Sequence, residues 1–201
     1  DIKIAEYFFE KANRFDPEYP YLQHQRARIA FLNGDFKTAM LRIDQEIEMY
    51  GAEHPNSYYV RGLIEGFASD YQNAALDYAR YLSSDPTNWA AINDYAWVLL
   101  KDGRAREAIV ATARGLSFFP DNPWLLNTNA IALYEIELVE PALEQARKAE
   151  TAAHDVSEYD WLMAYPGNEP RSAGSGIATL HKSTHDNIHT LELALQKKSI
   201  Q

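Results

Sequence analysis

Apolar residues at both ends of this chain follow the spacing of an amphipathic helix. In the segment 2–12, Ile4, Ala5, Phe8, Phe9 and Ala12 share one broad face, as expected for a helix that packs along one side. A second stripe, with steps of three and four, runs through the last part of the chain. Its members are Ile177, Leu180, Thr184, Ile188, Leu191 and Leu195.

Between these ends, small residues recur at intervals of 34 or 35 positions. Small side chains are needed where two helices approach closely, because a larger side chain would push their axes apart. A repeat of this length is typical of a helical solenoid. The two columns of small residues are Ala5, Ala39, Ala74, Ala108 and Ala142, and Ala27, Gly62, Ala96 and Ala130.

Helix-breaking turns keep the same interval. A shorter turn also falls inside each unit. The pattern therefore predicts that each unit consists of a helix, a tight turn, a second helix and a loop. The longer turns lie at 15–20, 49–55, 84–88 and 119–123, and the shorter ones at 33–35, 68–70 and 101–103.

The pattern resembles the tetratricopeptide repeat, a 34-residue helix–turn–helix unit with an A-x3-F…P signature. Ala74 with Tyr78 and Pro86 matches that signature, as does Ala5 with Phe9 and Pro17. The resemblance implies an all-α, right-handed solenoid. Four residues depart from the pattern: Arg26 and Arg61 in place of Leu, Glu65 in place of Tyr, and Thr112 in place of a large aromatic.

The repeats are predicted to occupy residues 1–155, beginning with the second helix of a truncated unit. We expect the exposed apolar face of that helix to allow self-association. Residues 156–201 are predicted to form a degenerate sixth unit. It has a short helix that starts at about 157 and is stopped by Pro166-Gly167, a flexible loop, and a helix from about 177 to 198 that caps the last repeat. Alternatively, SAGSG (172–176) is a linker that tethers an independent segment. The four complete units are placed at about 20–54, 55–88, 89–122 and 123–155.

Composition narrows the function. The net charge is −10, with carboxylates spread along the chain, which argues against a nucleic-acid ligand because phosphate contacts need clustered Lys and Arg. The longest apolar run, YAWVLL (95–100), is far shorter than the roughly 20 residues of a membrane span. Because the chain has no cysteine, it has no disulfide or thiol nucleophile. This composition fits the cytoplasm or a bacterial periplasm or envelope, and leaves the localisation unknown.

Three histidines raise the alternative of a metal site. His181, His185 and His189 are four residues apart, so a helix stacks them along one side, and imidazole is a common metal ligand. The apolar stripe of the same segment is explained by a capping helix, whereas a metal site explains only the histidines. We therefore predict no metal and no cofactor. We also expect His24, His54 and His154 to lie apart.

The resemblance also implies a concave groove lined by the first helix of each unit. Several residues at the implied positions are aromatic or carry amides, which suits a peptide or a helix of a partner protein. For Phe31, Phe67 and Tyr134 a place in the core is an equal alternative. The implied groove residues are Tyr21, His24, Arg28, Asn56, Tyr59, Leu63, Asn93, Trp97, Lys101, Trp124, Asn127 and Ile131, with Glu135, Trp161 and Tyr165 at corresponding places.

The function predicted is that of a non-catalytic protein-interaction scaffold. Two alternatives remain open. One is a regulatory or metal-responsive module in which the C-terminal helix with its histidines is the switch. The other is an accessory domain of a larger enzyme whose catalytic part lies outside this chain.

Overall fold

The computed structural model describes residues 2–164 and 172–198, and these ranges consist of α-helices joined by short turns. Tyr165 and most of the predicted flexible loop lie outside the described residues. The helices, in chain order, are α1 (Ile2–Phe15), α2 (Leu22–Leu32), α3 (Phe36–Tyr50), α4 (Asn56–Phe67), α5 (Tyr71–Ser84), α6 (Trp89–Lys101), α7 (Ala105–Phe118), α8 (Pro123–Glu135), α9 (Val139–His154), α10 (Glu158–Ala164) and α11 (Ala173–Lys198).

The helices group into two compact units, Asp1–Pro86 and Thr87–Gln201, which we call the N-terminal and C-terminal units. In the N-terminal unit α2 packs against α3 and α4 against α5. In the C-terminal unit α6 packs against α7 and α8 against α9, and α11 lies along α9. The predicted all-α fold of paired helices is confirmed.

Short polar side chains begin several of these helices. Asp35, Asn88 and Asn122 each accept a hydrogen bond from the backbone N–H three residues later, at 3.0 Å in every case. Each such cap satisfies a backbone donor that the helix leaves unpaired, and contributes about 1 kcal/mol. The turns predicted from sequence are therefore also the places where new helices start.

The tight turn inside each repeat uses one left-handed residue at the same place. Gly34 and Gly103 have φ of 76° and 75°, and Ser69 and Glu137 have φ of 65°. For a residue with a Cβ atom, this conformation costs about 1–2 kcal/mol. The turn geometry thus repeats four times, although the sequence supplies glycine only twice.

The predicted columns of small residues lie where paired helices meet. At Gly62, an added Cβ would lie 3.3 Å from both the Ala74 carbonyl oxygen and the Tyr78 ring, which is tighter than ordinary contact. Ala5 is the exception, since α1 contributes no buried residue. The alanines of the two columns that are fully buried are Ala27, Ala39, Ala74, Ala96, Ala108, Ala130 and Ala142.

Helix α11 covers the end of the C-terminal unit, as predicted for a capping helix. Ile188 and Leu191 pack in one cluster with Val139, Ala142 and Ala146, all from α9. Leu180 and Thr184 of the predicted stripe are also buried. The helix begins at Ala173, four residues before the expected start, so most of SAGSG is its first turn and not a loop.

Candidate partner-binding surfaces

Exposed aromatic rings on the first helices of the C-terminal unit form the clearest candidate surface. Trp97 on α6 is 40% exposed, and the Lys101 Nζ atom lies 5.6 Å from the centre of its ring. On α8, the half-buried Trp124 and Ile131 and the exposed Tyr134 follow one helix face. We call Trp97, Lys101, Trp124, Ile131 and Tyr134 the aromatic surface.

Trp124 is held in place by a neighbouring ring that sequence reasoning missed. The Trp89 and Trp124 rings stack with centroids 5.0 Å apart and an angle of 26°. Trp89 is the first residue of α6, and Trp124 is the second residue of α8. The spacing of 35 residues between the two tryptophans was the available signal.

Two amides expected in the groove are already engaged within the chain. Asn93 is buried and its Oδ1 accepts a hydrogen bond from Thr128 Oγ1 at 2.8 Å. Asn127 Oδ1 accepts from Asn187 Nδ2 at 2.8 Å, and Asn127 Nδ2 donates to Ser183 Oγ at 3.3 Å. These bonds join α6 to α8 and α8 to α11, so both amides support the fold of the unit.

In the N-terminal unit the predicted groove residues divide between interior and surface. Asn56 is exposed, while Tyr59 and Leu63 are half-buried. The Tyr59 ring lies 5.3 Å from the Tyr81 ring. Arg28 Nη1 donates to the side chain of Gln25, one turn earlier, at 3.2 Å. This face is therefore more polar and less exposed than the aromatic surface of the C-terminal unit.

Phe31 and Phe67 lie at the ends of α2 and α4, near the tight turns. Their rings meet edge to face at 5.1 Å, and Phe67 remains 63% exposed. Phe67 is thus not a core residue, and Tyr134 of the C-terminal unit is likewise exposed at 37%. Of the three residues for which the core was an equal alternative, two present their rings to solvent.

His24 belongs to a buried polar cluster around Glu46, and so does His54. Glu46 is fully buried and accepts hydrogen bonds from the backbone N–H groups of Tyr21, at 2.8 Å, and His24, at 3.3 Å. His54 Nδ1 lies 2.8 Å from the same carboxylate, and its ring stacks on Tyr21 with centroids 3.8 Å apart. The prediction that these two histidines lie apart is wrong, because the loop after α3 brings His54 next to Tyr21 and Glu46.

Burial controls the charge of His24. Burial, reinforced by the positive charge of Arg28, lowers the pKa of the His24 ring to about 4. Its Nδ1 lies 3.0 Å from Ser57 Oγ on α4. A neutral ring bonded inside the N-terminal unit holds helices together and is not available to a ligand in the groove.

The departures at Arg61 and Glu65 are parts of one charge network. Arg61 Nε and Nη2 bind the Asp77 carboxylate at 2.5 and 2.9 Å, and Nη1 binds Asp44 Oδ1 at 3.0 Å. Glu65 Oε2 has no hydrogen-bond partner among the described residues. Burial, together with the negative charge of Asp77, raises the pKa of Glu65 to about 8.

The departure at Thr112 is satisfied in a simpler way. Its hydroxyl donates to the Ala108 carbonyl at 2.8 Å and accepts from Asn129 Nδ2 at 2.7 Å. A polar pair between α7 and α8 thus takes the place of the large aromatic of the repeat pattern.

Two of the three histidines of α11 contact different residues of α9. The His181 ring lies 4.9 Å from the ring of His154, and His185 Nδ1 lies 3.3 Å from Glu150 Oε1. Within residues 2–164 and 172–198, no group of three His, Asp or Glu side chains is arranged to hold a metal ion. The absence of a metal role for these histidines stays a prediction.

Solved structures with the same architecture identify the fold as that of tetratricopeptide-repeat proteins. MamA matches with a TM-score of 0.70 and 17% identity over 77% of this chain and 90% of MamA. PilW, a widely conserved type IV pilus biogenesis factor, matches at 0.69 and 18% identity over 98% of this chain and 86% of PilW. YrrB, a TPR protein with an unusual peptide-binding site, matches at 0.65 and 16% identity over 94% of this chain and 97% of YrrB.

Comparison by sequence adds no family assignment. No protein-family model and no curated protein sequence matches this chain. Among the helices of the described ranges, none combines the length and apolar character that a membrane crossing requires.

Proposed function

We propose that this chain is a non-catalytic interaction protein that binds an apolar or aromatic segment of a partner protein. The observation that carries the proposal is the exposed Trp97 ring on α6, together with the half-buried Trp124 and Ile131 on α8, the first helix of the next repeat. Covering a large, water-exposed aromatic ring with a partner stabilises the complex. Tryptophan is also enriched among the residues that dominate binding energy. The tetratricopeptide-repeat fold, which YrrB also has, supports a peptide ligand.

The charge of the aromatic surface indicates which kind of residue lies next to the apolar residue of the partner that covers Trp97. Lys101 places its ammonium group next to Trp97. An acidic side chain beside the anchor would pair with Lys101 while the anchor covers the ring. The net charge of the chain is −10, so Lys101 attracts an acidic group only at short range. For the same reason nucleic acid is not proposed as a ligand.

A peptide library selected against the intact chain tests this proposal. We expect enriched peptides to share an apolar or aromatic residue, and Trp97→Ala to weaken their binding by about 30-fold, since hot-spot truncations cost roughly 2 kcal/mol. Val110→Ala is the matched control, because Val110 is 70% exposed but lies on α7, a second helix. Equal affinity for the two variants and the unmodified protein would reject the aromatic surface as the binding site.

Self-association through α1 is a second proposed interaction. Ile4, Tyr7, Phe8 and Phe15 are all more than half exposed, and the helix contributes no buried residue. An apolar face of this kind is covered when two chains meet. Sedimentation at increasing concentration measures the association, and a Phe8→Ser variant that associates as strongly as the unmodified chain would exclude α1.

A further inference from the structure

A cavity of about 180 Å³ in the N-terminal unit is lined by two arginine side chains. Its walls include Arg26 and Ala30 of α2, Arg42 of α3 and Phe9 of α1. Within the described residues, neither arginine forms an ion pair with a carboxylate. Two cationic side chains thus face one polar cavity without a bonded counter-charge.

Their hydrogen bonds go to neutral partners. Arg26 Nη1 donates to Asn13 Oδ1 at 2.7 Å and to Gln23 Oε1 at 3.2 Å. Arg42 Nη1 donates to Gln45 Oε1 at 3.0 Å. A guanidinium carries five N–H donors, so both groups keep donors for a further acceptor.

The next repeat shows what chemistry these positions hold when they are filled. The counterparts of the two arginines and of Ala30, 35 residues later, are Arg61, Asp77 and Glu65. There the arginine is bound through two nitrogens by the Asp77 carboxylate, and the buried Glu65 lies next to it, with Oε1 3.9 Å from Arg61 Nε. In the first repeat the bound carboxylate is replaced by a second cation, and the second carboxyl by a methyl group, which leaves the cavity.

We propose that this cavity binds a small monocarboxylate, whose oxygens lie between the guanidinium groups of Arg26 and Arg42, above Ala30. The planar fork of a guanidinium matches a carboxylate through two parallel hydrogen bonds. A volume of about 180 Å³ is roughly that of six waters, which is enough for a carboxylate and a short side group.

The other charged residues that line the cavity limit the charge of the anion that can bind there. Three carboxylates also line it, of which Asp35 caps α3 through the Thr38 N–H and Glu10 pairs with Arg14 at 3.3 Å, while Glu6 completes the set. These groups repel a monocarboxylate less strongly than a multiply charged anion such as phosphate. Burial and the positive charge of Arg42 lower the pKa of Arg26, and the negative charge of Glu10 offsets them only in part.

Side-chain NMR of the two arginines measures this binding directly. Sodium acetate is titrated into the intact chain at constant ionic strength, and the Nε–H signals of Arg26 and Arg42 are followed. We expect both signals to shift saturably with acetate and at higher concentration with phosphate. A larger effect of phosphate than of acetate, or no saturable shift with either anion, would overturn the proposal.

Two variants and one control make the assignment specific. Ala30→Glu supplies a carboxylate from the chain itself, so we expect a melting temperature higher by a few degrees and no response to acetate. Arg42→Gln removes one guanidinium, and we expect the acetate response of Arg26 to be lost. Arg114→Gln, an exposed arginine on α7, is expected to leave the response unchanged. An acetate response that persists in both Ala30→Glu and Arg42→Gln would contradict the site.

A last comparison identifies the source of the carboxylate. A tripeptide with a free C-terminus and its C-terminal amide are titrated beside acetate. Binding of the free acid below the acetate concentration, without binding of the amide, supports a polypeptide terminus as the ligand. Binding of acetate alone supports a small molecule. Equal binding of the acid and the amide would show that the carboxylate is not recognised.

Discussion

Charged side chains occupy buried positions in α4 and α5 where a helical repeat usually places apolar ones. Arg61 is stabilised by its bonds with Asp77, which raise the pKa of the guanidinium. Glu65 is the opposite case, because it is buried beside the same Asp77 and its Oε2 lacks a partner within the described residues. A buried carboxyl group in this setting costs free energy once it ionises.

Replacing Glu65 by Gln is therefore expected to stabilise the protein at alkaline pH. The pKa of Glu65 is about 8 in the folded chain and ordinary, near 4.5, when unfolded. Its contribution is fully present below pH 4.5 and is lost as the pH rises through 8. We expect the free energy of unfolding of Glu65→Gln, relative to the unmodified protein, to increase by about 3–5 kcal/mol between pH 4.5 and pH 8.

The measurement is urea unfolding of both proteins across that pH range. His24 is present in both, so its contribution to the pH dependence of stability cancels in the difference between them. Glu144→Gln is the control, since Glu144 is exposed and its bond with Lys148 lowers the pKa of its carboxyl group. A Glu65→Gln variant whose stability follows that of the unmodified protein from pH 4.5 to 8 would show that Glu65 ionises freely.

Sequence could identify the positions of these residues but not their partners. The repeat pattern marks Arg26, Arg61 and Glu65 as departures, because each stands where an apolar side chain is expected. The pairing of Arg61 with Asp77 depends on where α5 returns along α4, and that placement is set by packing. The polar cluster around Glu46 could not be predicted from the sequence for the same reason, because it depends on the position of the loop after α3.

At the scale of elements, α10 and α11 pack through a tryptophan and a glycine. A Cβ atom added at Gly176 would lie 2.0–2.2 Å from atoms of the Trp161 ring, whereas one added at Gly174 would meet nothing within 4 Å. Both glycines lie inside α11. The first is required by the close approach of the ring, and the second is not.

Alanine at these two positions is expected to have opposite effects. Gly174→Ala should raise the free energy of unfolding by about 0.5–1 kcal/mol, because alanine favours the helix. Gly176→Ala should lower it by about 1–3 kcal/mol, because the methyl group displaces the ring. Thermal melts followed by circular dichroism compare them. A stabilising Gly176→Ala would show that Trp161 does not pack on α11.

The same element shows where a sequence pattern succeeds and where it misleads. The stripe through Leu180, Thr184, Ile188 and Leu191 predicts the buried face of α11 because each step of three or four returns to one side. The start of the helix was missed because SAGSG has the composition of a loop. Only the tertiary contact of Gly176 explains why glycine is favourable there.

At the scale of the whole molecule, the regular interval of small residues was enough to predict the fold. Steric limits at helix crossings act in every repeat, so their signal accumulates along the chain. The proposed binding surface leaves a weaker signal in the sequence, since an exposed ring and a buried ring share the same helix spacing. Asn93 and Trp97 illustrate this, because they lie one turn apart on α6 and only the tryptophan is exposed.

The four tryptophans provide the most direct test of the proposed function, because each has one indole N–H signal. In a titration with a peptide enriched from the library, we expect the signal of Trp97 to shift most and that of Trp124 to follow. The signal of Trp161, which lies against Gly176, should stay in place. Binding that shifts Trp161, or that leaves the signals of Trp97 and Trp124 unchanged, would contradict the aromatic surface as the place where this protein meets its partner.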